Sequence, residues 1–79
     1  MKFLITMNMP SSHGSTVHQI IGEHPAESLL RFHGALSESD FLIVREWYRN
    51  GKTGQHFPVE ETLINTNLVG KVRVFDPDR

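Results

Sequence analysis

The amino-acid sequence predicts an α+β fold: an antiparallel sheet of about five strands with one helix packed on one face, in the order β-β-α-β-β-β. Three observations lead there. Residues 2–9 alternate with the period of a strand. One segment, 25–36, carries apolar residues at helical spacing. Turn-forming residues then cut the chain into six pieces, each as long as one strand or one short helix.

In the first piece Phe3, Ile5, Met7 and Met9 share one side, with Thr6 and Asn8 on the other. Pro10 is expected to stop this strand, and 11–15 reads as a loop. Residues 16–22 carry two signals. Thr16, Val17, Ile20 and Ile21 are β-branched, which favours a strand. Thr16 and Gln19 also match a capping box, and Val17, Ile20 and Ile21 sit at helical spacing. Gly22 follows too soon for a good helix, so a hairpin with 2–9 is preferred.

The helix is expected over 25–36. Pro25 suits a first turn, and Glu27 suits its positive end. Ala26, Leu29, Leu30, Phe32, His33 and Leu36 fill one arc, and Glu27, Ser28 and Arg31 face away. Ser37, Ser39 and Asp40 end it.

Residues 41–49 read as a strand, and Asn50-Gly51 as a tight hairpin turn prolonged by Lys52-Thr53-Gly54. Pro58 delays the return strand to 59–65. Thr66-Asn67 turns the chain into a last strand, 68–75. Residues 1–75 thus form one domain, and 76–79 a polar tail.

Parity assigns the strand residues to two faces. Phe3, Ile5, Met7, Val17, Ile21, Phe41, Ile43, Trp47, Leu63, Val72 and Val74 fall in one set. Leu4, Ile20, Leu42, Val44, Tyr48, Ile64, Val69 and Phe75 fall in the other. Both sets are apolar, whereas a sheet with one wet face alternates cleanly. Five strands make a sheet roughly 24 Å wide. A 12-residue helix, about 18 Å long and 10 Å across, covers one face in part. The second face must curl on itself or meet a partner. A homodimer through Leu42, Val44 and Tyr48 is the economical partner.

Composition narrows the function classes. The chain has 79 residues, a formal net charge of −1 and no cysteine. Disulfides, zinc–thiolate sites and thiol catalysis are excluded. With 8 Lys+Arg against 9 Asp+Glu, binding of nucleic acid by bulk charge is not expected. The longest apolar run, Phe41 to Val44, is far short of the roughly 20 residues a membrane helix needs. No signal peptide or lipidation motif is read, and a cytoplasmic protein is expected.

Candidate chemistry is sparse. His13, His18 and His24 lie close in sequence, but their five- and six-residue intervals match no metal motif, so no metal and no cofactor are expected. Ser12, Ser15, His13, His18 and Asp40 lack a nucleophile elbow. Gly51-Lys52-Thr53 lacks the upstream glycine of a phosphate loop, which is Glu46 here. His33 sits inside the apolar helix arc, where a buried imidazole would need a partner or serve as a pH-sensitive or pocket residue. Arg45, Trp47, Arg49 and Lys52, with Lys71 and Arg73, place cations beside aromatics in the manner of a single-stranded nucleic-acid platform, provided both strands turn the same side outward.

Met1–Pro10 resembles the first strand of small ferredoxin-like α+β enzymes. That likeness spans about ten residues and carries no active-site motif, and the second long helix of such a fold has no counterpart here.

The function the sequence favours is a non-enzymatic interaction module that self-associates as a dimer through a sheet face. Two alternatives stand beside it: nucleic-acid binding by the Arg45/Trp47/Arg49 strand, and a small ligand-binding protein or enzyme with a pocket at His33.

Overall fold

The computed structural model describes residues 1–11 and 14–76. Strands β1 (Lys2–Ser11) and β2 (Gly14–Glu23) precede helix α1 (Leu29–Glu38), which leads into β3 (Phe41–Arg49), β4 (His56–Asn65) and β5 (Val69–Val74). A 3-10 turn, Thr66–Leu68, joins the last two strands. The sheet is antiparallel throughout, with the spatial order β4-β3-β2-β1-β5. This is the α+β architecture and element order that periodicity predicts.

Local boundaries differ for identifiable reasons. Pro10 does not stop β1, because it pairs with Ser15 at the end of the hairpin, where few ladder bonds are left to lose. Residues 16–22 are strand, since pairing with β1 supplies the partner an isolated helix would lack. The helix starts later than Pro25. Ser28 is its N-cap, and its hydroxyl accepts the Arg31 N–H at 3.1 Å. Asn50-Gly51 forms no two-residue turn; the positive φ falls at Gly54 (74°) instead. The Asn50 side chain accepts the Lys52 and Thr53 N–H groups, and Asn50 N–H closes on Gln55 O at 2.9 Å, which makes a longer loop. β4 runs back to His56 through Pro58, which an edge strand at a bulge tolerates.

The face under α1 holds the main core: Phe3, Ile5, Met7, Val44, Ile64 and, from the helix, Phe32. Phe3 and Phe32 stack with ring centroids 4.2 Å apart. Register fixes which residues share this face, because directly opposed residues point the same way. Phe3 opposes Gly22 and Ile5 opposes Ile20; Gly22 in turn opposes Glu46. Val44 and Leu42 therefore lie under the helix with Phe3. Ile21, Trp47, Ile43 and Leu63 lie on the other side with Leu4. The parity sets are thus corrected by one residue for β2, β3 and β4. Gly22 is the reason. A Cβ there would stand 3.0 Å from both Ile5 Cδ1 and Val44 Cγ2, so only glycine lets β1 and β3 side chains close over β2.

The second face is covered in part by the sheet itself. β2 and β3 share only three pairs, Ile21–Trp47, Gly22–Glu46 and Glu23–Arg45. A bulge between Glu46 and Trp47 then bends the β3–β4 hairpin away. Its far half curls across the open face until His56 of β4 meets Phe75, just past β5, with ring centroids 5.3 Å apart. Two edge strands at opposite ends of the order thereby touch. Leu4, Ile21 and Trp47 are aligned across three strands on this face, and Ile21 is buried there.

Candidate functional site

The outer face carries the residues singled out as basic and aromatic. Thr6 opposes Lys71 and Leu4 opposes Arg73, so both cations point to the side of Trp47. Arg45, Trp47, Arg49, Lys71 and Arg73 are therefore brought to one face; Lys52 stands on the hairpin loop beyond it. Trp47 is not an open stacking platform. Its indole N–H donates to Glu23 Oε1 at 3.1 Å, and Lys2 Nζ sits 3.6 Å over the ring. Arg45 pairs with Glu61 at 3.6 Å. Glu23, Glu61 and Asp76 offset the cations of this face.

The self-association residues chosen from parity are placed otherwise. Val44 is 1% exposed and belongs to the core under α1, and Leu42 packs against that core. A one-residue change of register moves every side chain of a strand to the other face, which explains the exchange. Tyr48 does remain exposed, and its ring meets Phe57 at 5.2 Å on the helix side. The open apolar strip lies on the opposite face: Phe41 (53% exposed), Ile43 (59%) and Leu63 (61%), with Ile43 directly opposite Leu63.

His33 is exposed, contrary to its place in the sequence-derived arc. α1 has only ten residues and meets the sheet along the narrow stripe of Phe32 and Leu36. Leu29, Leu30 and His33 flank that stripe and face outward. His33 lines an open groove of about 470 Å³ between α1 and β5, floored by Phe32 and Val72 and bordered by Lys71. Among the described residues no acidic side chain lines this groove.

The other histidines do not converge. His13, like Ser12, lies outside the described residues. His18 is exposed on β2. His24 Nδ1 accepts the Ala26 N–H at 3.0 Å, and the ring meets Phe32 edge-on at 5.2 Å. Burial holds its pKa below the ordinary histidine value, helped by the nearby Met1 ammonium. Asp40 ties the end of α1 to the 3-10 turn, through its backbone oxygen to Thr66 N–H and its carboxylate to Asn67. Among the described residues no three His, Asp or Glu side chains form a metal-ligand group, and no helix is long and apolar enough to cross a membrane.

Sequence reasoning missed the Phe41/Ile43/Leu63 strip as a surface and missed His56 altogether. Gly22 is the signal that points to the strip: a glycine inside a strand marks a close approach of neighbours, and it sets Phe3 against residue 22 instead of 21. The His56–Phe75 contact joins residues from opposite edges and leaves no local pattern. Compared with protein-family models, curated proteins and solved structures, the chain has no significant match.

Proposed function

We propose that this protein is a non-enzymatic interaction module that pairs with a second copy of itself through the outer face of β3 and β4. The observation that carries it is the strip of Phe41, Ile43 and Leu63, three large apolar side chains more than half exposed on the face α1 does not reach. The Arg45–Glu61 pair borders this strip and offers both signs of charge. A two-fold axis through the strip sets like apolar residues against each other and each Arg45 toward the partner's Glu61 side, the self-complementarity a symmetric dimer requires. A stable interface takes about 800 Å² from each partner. That is roughly one seventh of the 5690 Å² surface, so the surroundings of the strip on the Phe41–Arg45 half of the outer face must take part with it.

Nucleic-acid binding is the weaker reading, because Trp47 is engaged by Lys2 and Glu23 and acidic groups share the face. The test is native mass by light scattering at a concentration on the order of 100 μM. Wild-type protein should have twice the 9.0 kDa of one chain. Ile43→Lys, at an exposed position, should keep its circular dichroism and fall to the single-chain mass. A single-chain mass for the wild type overturns the proposal.

A further inference from the structure

At the other end of the outer face, six residues along β3 from Ile43 and so roughly 20 Å away, lies a groove that exists only because the hairpin curls. It measures about 590 Å³ and is lined by Leu4, Arg49, Arg73, Val74, Phe75 and Asp76. Arg49 comes from the end of β3 and Arg73 from β5, strands that are not neighbours in the sheet. Two exposed guanidinium groups therefore flank one concave space whose floor includes Leu4 and Phe75. Beside it His56 Nε2, opposite Arg49 in the β3–β4 register and packed on Phe75, is buried with no hydrogen-bond partner.

We infer that this groove binds a phosphate monoester carried on a flat ring, the chemistry of a nucleoside monophosphate. Each guanidinium presents a planar fork of N–H donors. A carboxylate uses up one fork with its two oxygens, whereas the three terminal oxygens of a phosphate dianion accept from both arginines at once. Asp76 at the rim offsets one of the two positive charges, so a bare ion gains little and the apolar floor must contribute by covering a ring. The volume lies within the usual range for small-ligand sites. This inference is independent of self-association, since it uses a different part of the face.

The test is an NMR titration of the full chain with adenosine 5′-monophosphate, inorganic phosphate, adenosine and unphosphorylated oligothymidylate. The nucleotide should give saturable shifts at Arg49, His56, Arg73 and Phe75, and should bind about tenfold tighter than inorganic phosphate or adenosine. Arg49→Gln and Arg73→Gln, both at exposed positions, should each weaken nucleotide binding about tenfold, the loss expected for one charge-assisted hydrogen bond. Arg31→Gln, on the helix, should leave it unchanged. Equal binding of phosphate and nucleotide overturns the inference, as do arginine variants that bind like wild type. Tighter, equally arginine-dependent binding of the oligothymidylate also overturns it, in favour of a single-stranded nucleic-acid surface.

Discussion

His56 and Phe75 meet edge to face, ring centroids 5.3 Å apart and planes at 78°, although they belong to opposite edges of the sheet. Their contact latches the curl, because the hairpin is otherwise attached to β2 by only three residue pairs. Phe75→Ala should therefore cost about 1–2 kcal/mol, less than a fully buried phenylalanine because the ring is half-exposed. Hydrogen exchange should quicken across 47–58 while β1 and β2 stay protected. Uniform loss of protection would show that the latch is not local.

The Phe3–Phe32 stack is the main tie between helix and sheet. Both rings are fully buried. Truncating a buried phenylalanine costs about 3–5 kcal/mol, a large part of what a small domain has in hand. Phe32→Ala should abolish cooperative thermal unfolding, or lower the midpoint by tens of degrees. Leu30→Ala, at a position 79% exposed on the same helix, should change stability by less than about 0.5 kcal/mol.

Two glycine-to-alanine changes should act in opposite directions. At Gly22 the added methyl meets Ile5 Cδ1 and Val44 Cγ2 at 3.0 Å, and both are locked in the core. Gly22→Ala should cost about 1–3 kcal/mol through overpacking. At Gly34, within α1, nothing lies within 4 Å of the new Cβ. Gly34→Ala should stabilise by about 0.5–1 kcal/mol through helix propensity. Chemical denaturation of the two variants measures both signs.

His24 gives the fold a pH dependence with a definite sign. Desolvation, and then the Met1 ammonium, lower its pKa in the folded chain. The unfolded chain therefore takes up the proton first as pH falls. Stability should be fully present above the unfolded value of about 6.5 and decline as pH falls from there to the folded pKa, below which this contribution levels off. Protonation of Nδ1 also removes the acceptor for the Ala26 N–H. Urea midpoints of wild type and His24→Gln, compared between pH 7.5 and 5, should differ in slope, with the variant flatter. Equal slopes would remove His24 as the cause.

The sequence by itself determined the element order, the single helix, the bounds of β3 and the excess of apolar surface over what one helix covers. These follow from local periodicity and from area, which need no knowledge of pairing. Tertiary structure decided the rest. The register around Gly22 chose which apolar set lies under α1, and so moved Leu42 and Val44 into the core and Phe41, Ile43 and Leu63 outside. The ten residues of α1, nearly three turns, rest on a narrow stripe, which left His33 at the surface. The bulge beside Trp47 turned the hairpin across the sheet and brought Arg49 to Arg73, residues 24 positions apart in the chain. Each outcome depends on contacts between strands distant in sequence. A pattern of period two reports that a strand has two faces, while the packing between strands selects which face is buried.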